Sequence, residues 1–188
     1  MIHPKHLTAR HAAAATDFVH RFLITEAPSL FSALEKPLEP PFKYHVVVLV
    51  PGTDDDGESI KPFPLHEVSE GKELWGDAPF DRIAKSKARQ LWTGRNQGQG
   101  DIAGHLLFPM DSPFWGGVRR DGVVVACSGF DYEWLDQLVS SLVADTLLAL
   151  ARGQFDRECP PTTKPTWPNF INEGKRDVRH DASHCPTG

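Results

Sequence analysis

Apolar positions spaced three and four apart mark three helical segments in this chain, and unbroken apolar runs between them mark strands. Thr8 to Ile24 reads as the first helix, with Leu7, His11, Ala15, Phe18, Val19, Phe22 and Leu23 sharing a face. Pro28, Pro37, Pro40 and Pro41 then interrupt regular structure. Tyr44 to Val50 follows, and its Val46 to Val50 run predicts a strand buried on both sides and closed by Pro51-Gly52. After the acidic turn at Asp54 to Gly57, Ile60 to Val68 returns as a second strand. Pro62 and Pro64 cannot donate to a central ladder, so this strand is confined to a sheet edge.

Asp77 and Pro79 open a second helix, with Phe80, Ile83, Ala84, Ala88, Leu91 and Trp92 inward and Arg82, Lys85 and Arg89 outward. The polar, glycine-rich stretch Asn96 to Gly100 reads as a mobile loop, and His105 to Met110 as a short strand. Asp121-Gly122 between Val118 and Val123 is a hairpin signal, because both turn positions favour positive φ. Beyond Ser128-Gly129, Asp131 is the expected cap of a long helix. Leu135, Leu138, Val139, Leu142, Val143, Leu147 and Leu150 face inward, Asp136, Gln137, Ser140 and Asp145 outward, and Gly153 is the expected stop. The order helix, two strands, helix, two strands, helix predicts an α+β domain with a small antiparallel sheet flanked by helices.

Composition narrows the functional classes. The chain has 188 residues, 40% of them apolar, which suits one domain over 1–156 and a proline-punctuated arm over 157–188. Basic and acidic residues are interspersed with a net charge of -5, which gives no electrostatic case for nucleic acid. No run of about 18 apolar residues predicts a membrane span, and Met1 to Arg10 lacks the apolar core of a signal peptide, so a cytoplasmic protein is expected. Cys127, Cys159 and Cys185 are an odd set without close pairing, which argues against a disulfide framework or a zinc site. The arm offers Trp167, Phe170 and Ile171 for docking on the body or on a neighbouring subunit, with its last residues disordered.

Phe80 to Ala88, Gly116-Gly117-Val118, Asp121 to Gly129 and then Asp136 form a series that resembles the GlcG/HbpS (PduO C-terminal-like) family. In that family a helix with Ala and Lys precedes a Gly-Gly hairpin, a strand ending in Ser-Gly, and a closing helix with an early acid. The resemblance spans about Asp77 to Arg152 and departs from the pattern at Val118-Arg119, at Val125-Ala126-Cys127 and in the aromatic residues of Phe130 to Trp134. It implies a profilin-like or PAS-like fold and assembly into homo-oligomers. For some members it implies haem binding or haem degradation.

The hairpin and the helix after it carry the candidate site. Backbone N–H groups at Ser128-Gly129 could hold a small anion at the helix start, or Gly129 could simply make the turn and Ser128 cap it. Asp131 and Glu133 would repel an anion there, and Arg119 and Arg120 would offset them. Trp115, Gly116, Gly117, Arg119, Ser128, Gly129, Phe130 and Trp134 together define a pocket with an aromatic wall, or else an oligomer interface made of the same aromatics. Cys127 reads as a small buried strand residue, since no His adjoins it to act as base, and the Glu133 and Asp136 carboxylates read as partners of the helix dipole.

No metal-ligand spacing appears among His11, His20, His45 and His105. His180 and His184 with Cys185 have such a spacing in a poor helix, and Cys159-Pro160 and Cys185-Pro186 match the short motif whose thiolate ligates haem iron. Nucleotide, α/β-hydrolase and zinc-protease motifs are absent. Three classes therefore stand: an oligomeric module binding a small molecule, haem or an organic acid among them; an oligomeric adaptor for another protein; and a small enzyme that uses no cofactor.

Overall fold

The structure, a computed structural model, describes residues 3–32, 38, 40–54, 59–98 and 100–158. The expected docking arm, with Cys159, Cys185, His180 and His184, lies outside the described residues.

The chain folds as an α+β domain. Helix α1 (Ala9–Thr25) is capped by the Thr8 hydroxyl, which accepts from the His11 N–H. A single turn, α2 (Ala27–Leu30), follows it. Strands β1 (Tyr44–Thr53) and β2 (Ile60–Glu70) form an antiparallel ribbon, and a short 3₁₀ turn (Lys72–Leu74) leads to α3 (Phe80–Trp92). The long connection after α3 carries a second 3₁₀ turn (Gly104–Leu106) before the hairpin of β3 (Gly117–Arg120) and β4 (Val123–Ser128). Helix α4 (Glu133–Glu158) closes the domain.

All strand pairs are antiparallel in the order β2-β1-β4-β3. Helices cover both faces of the central strands, which is why β1 and β4 are apolar without alternation. Val46, Val48, Val50, Val123, Val125 and Cys127 pack with α1 and α4. On the opposite face Val47, Val124 and Ala126 pack with Ala84, Ala88 and Leu91 of α3. Strand β2 is an edge, as its prolines require: Pro62 and Pro64 pair with Pro51 and Leu49, and the register shifts between Val48 and Leu49.

Several expectations are corrected. His105 to Met110 is a 3₁₀ turn and loop rather than a strand, because the segment is hydrogen-bonded to α3 and never reaches the sheet. Phe18 is exposed, since α1 presents Ala12, Ala15, Thr16, Val19 and Leu23 inward. Helix α4 starts at Glu133 and passes through Gly153 to Glu158, and Asp136 and Ser140 lie on its buried side. Among the described residues α4 is long and apolar enough to cross a membrane by length and composition. In this fold its Leu135, Val139, Val143 and Leu147 are core residues.

Candidate functional site

The residues expected to form a pocket have individual structural roles in the fold. Gly116 has φ +115, and a Cβ there would lie 2.6 Å from Asp136 Cβ and 3.2 Å from Lys87 Nζ. Gly129 has φ +147, and a Cβ would lie 2.3 Å from the Lys43 carbonyl oxygen. Both positions therefore require glycine to let neighbouring chain approach. Phe130 stacks on Tyr44 with ring centroids 5.4 Å apart, and Trp134 packs edge-on against Phe31. Arg119 turns away from the helix start, donates to the Trp92 carbonyl and lies over the Trp92 ring. Arg120 pairs with Asp145. Trp115 and Gly117 are half-buried, and Ser128 is buried at the end of β4.

An anion does occupy the helix entrance, but the chain supplies it. Asp136 Oδ1 accepts from the Phe130 N–H, and Asp136 Oδ2 accepts from Lys87 Nζ at 2.8 Å. Lys87 is 1% exposed and Asp136 3%, and Lys87 Nζ also donates to the Cys127 carbonyl. The pair joins α3 to α4 past the Gly116 backbone, where the absence of a side chain leaves room for it. Ser140 Oγ adds a bond to the Gly116 carbonyl. Burial raises the Asp136 carboxyl to about 6, against the lowering effect of Lys87. Cys127 is wholly buried, and desolvation first, then the Asp136 charge, pushes its thiol well above the ordinary range. It stays a protonated core residue.

Lys87 was legible as an oddity only in spacing. It falls three residues after Ala84 and four before Leu91 on the inward face of α3, as Asp136 and Ser140 bracket Val139 on α4. A lone charge of opposite sign on the apolar face of each of two helices is the available signal.

An open cavity lies elsewhere, in the connection between α3 and β3. It measures about 660 Å³, and Ile102, Ala103, Leu106, Leu107 and Phe108 make its apolar wall. Arg95, Asn96, Asp101 and His105 supply its polar groups.

A hydrogen-bond lattice holds this wall on α3. Asp111 accepts from Arg95, from Arg89 and from the Phe108 N–H. Arg95 first, through its hydrogen bond, holds the Asp111 carboxyl down to about 2. Ser86 Oγ donates to the Met110 carbonyl and accepts from the Ser112 N–H, Gln90 donates to the Ser112 carbonyl, and Asn96 donates to Gln90 and to the Phe114 carbonyl. The Arg95 guanidinium also lies 4.8 Å from the centre of the Phe108 ring. Asn96 Oδ1 is buried with no hydrogen-bond partner among the described residues.

The sequence predicts a loop over Asn96 to Gly100 and a strand over His105 to Met110, whereas the anchors that set the segment's course are single polar residues on α3 whose partners are backbone groups about 20 residues on. Of the expected histidines, only His105 lines the cavity. His20 accepts from or donates to the Tyr44 hydroxyl at 2.9 Å, and His45 makes the same kind of bond with Ser69. Among the described residues no three His, Cys, Asp or Glu side chains come together to hold a metal. Comparison of the chain with family models, with curated proteins and with solved structures gives no match.

Proposed function

We propose that this chain is a small-ligand binding module of the GlcG/HbpS-like kind, with a profilin-like fold, and that its ligand sits against the 95–108 segment rather than beneath the hairpin. The observation that carries this reading is the cavity of about 660 Å³ with an apolar wall and a few polar groups, the usual make-up of a small-molecule site. Asn96 Oδ1 adds to it, because an unpaired buried acceptor costs about 1–3 kcal/mol that a ligand N–H or O–H would recover.

The lining suits a flat apolar acid, and haem is such a molecule. Ile102, Leu106, Leu107 and Phe108 would cover its face, His105 would offer an exposed imidazole, and Arg95 has N–H donors left over from Asp111 for a carboxylate. Haem bound there would supply an iron centre for ligand or redox chemistry. Titration with haemin and with metal-free protoporphyrin tests this. Both should bind with 1:1 stoichiometry, and His105→Ala should alter the haemin spectrum while leaving the metal-free porphyrin bound. Absence of binding by either porphyrin overturns the haem assignment.

A second reading has its own observation. Leu106, Phe108, Met110 and Phe114 expose large apolar side chains on the same connection, Phe108 at 65% and Met110 at 75%. Such a crest fits a contact between copies of the chain. Concentration-dependent dissociation in an analytical ultracentrifuge, weakened in Met110→Ser, supports it, and a monomer at every concentration rejects it.

A further inference from the structure

The β1–β2 ribbon carries a cluster that neither the cavity nor the buried ion pair uses. His45 and Ser69 are cross-strand partners, and Glu67 lies two residues before Ser69, on the same face of β2. That face is the one covered by α3, whose Lys85 reaches Glu67 Oε2 at 2.9 Å. His45 Nδ1 is 2.9 Å from Ser69 Oγ. His45 itself is 5% exposed, its ring edge-on to Trp75, and its Nε2 is buried with no hydrogen bond among the described residues while facing Glu67 Oε2 at 3.8 Å.

Two tautomers of the neutral ring are available, and the surroundings choose between them. With the proton on Nδ1, the bare Nε2 lone pair would face a carboxylate. With the proton on Nε2, the N–H faces Glu67, and the Nδ1 lone pair is left to accept the Ser69 hydroxyl. Lys85 Nζ lies 2.9 Å from the same Glu67 oxygen and fixes its place opposite Nε2, which favours the second tautomer. Ser69 is only partly buried.

We propose that Ser69, His45 and Glu67 form a nucleophilic serine site that takes an acyl group from an activated ester. A hydroxyl bonded to an imidazole that is oriented by a third group is the general arrangement of an activated nucleophile. Ser69 Oγ attacks the ester carbonyl carbon, the new Oγ–C bond forms, and the hydroxyl proton passes to His45 Nδ1. The bond from the carbonyl carbon to the leaving oxygen then breaks, and His45 returns the proton to that oxygen. Water attacks the acyl-serine in the same way, its proton passing through His45 to Ser69 as the carboxylic acid leaves. Ser69 and His45 are the catalytic residues here, and Glu67 is a positioning residue.

The probe is p-nitrophenyl acetate on the full chain, with release of p-nitrophenolate and the acetylated residue mapped by mass spectrometry. Acetyl on Ser69, lost in Ser69→Ala, with release slowed about tenfold or more in Glu67→Gln, is the expected result. The pH profile separates positioning from structure. Burial pushes the His45 imidazole below its ordinary value, and of the charged groups around it (Glu67 on β2, Lys85 and Asp81 on α3, Lys72 on the 3₁₀ turn) Glu67 opposes that lowering most. In Glu67→Gln the rising limb of the profile should therefore move to lower pH. Acetylation on lysines alone, p-nitrophenolate release unchanged in Ser69→Ala, or a pH profile unmoved in Glu67→Gln would each overturn the proposal. Because Ser69 and Glu67 are not core residues, both variants test it even where a His45 variant fails to fold.

Discussion

Lys87 and Asp136 show how a residue's neighbours, rather than its type, set its role. Two opposite charges removed from water repay their desolvation only with close geometry and extra hydrogen bonds, here the Cys127 carbonyl for Lys87 and the Phe130 N–H for Asp136. Lys87→Met or Asp136→Leu alone leaves an uncompensated buried charge and should cost about 3–5 kcal/mol in urea unfolding. The double variant should recover most of that loss, and equal additive costs would show that the pair is not coupled. Cys127 makes a companion prediction: its alkylation by iodoacetamide, mapped by mass spectrometry, should appear only with global unfolding, since the buried thiol keeps its proton. This ion pair was legible only as misplaced polar positions on two helical faces. Periodicity alone assigns charges outward, and the partner of each charge lies 49 residues away.

At the scale of elements, the strands and helices follow from pattern because both faces of the central strands are covered and the edge strand accepts proline. Val46 to Val50, the Asp121-Gly122 turn and the first helix were all readable from local spacing and turn chemistry. The connection after α3 was not, because its order comes from side chains of Ser86, Arg89, Gln90 and Arg95 bonding to distant backbone and to Asp111. Asp111 makes this order sensitive to pH. Its folded carboxyl lies below the ordinary value of 3.8, so the stability it contributes is present above about pH 4 and is lost as pH falls toward about 2. Protection of the Phe108 amide, the intrinsic exchange rate relative to the observed rate at the same pH, should fall over that window in the wild type and be low throughout in Asp111→Ala. Protection indifferent to both changes would show that Asp111 does not hold the segment.

At the scale of the molecule, the hairpin and the start of α4 form a structural joint held by Lys87, Asp136 and Ser140, and a cavity lies to the side, along the connection after α3. Of the aromatic residues expected to line a pocket, Phe130 packs on Tyr44 and Trp134 on Phe31. The Ser128-Gly129 entrance is served by Asp136 from within. A glycine-rich strand-to-helix turn looks the same in sequence whether a ligand or the chain's own carboxylate approaches it, so the candidate site was not legible there. The most direct test is paramagnetic broadening of backbone amide signals by sub-stoichiometric haemin. Broadening centred on Arg95 to Phe108 is the predicted result. Broadening centred on Trp115 to Arg119 and Ser128 to Trp134, or none at any residue, would contradict the assignment of the ligand site.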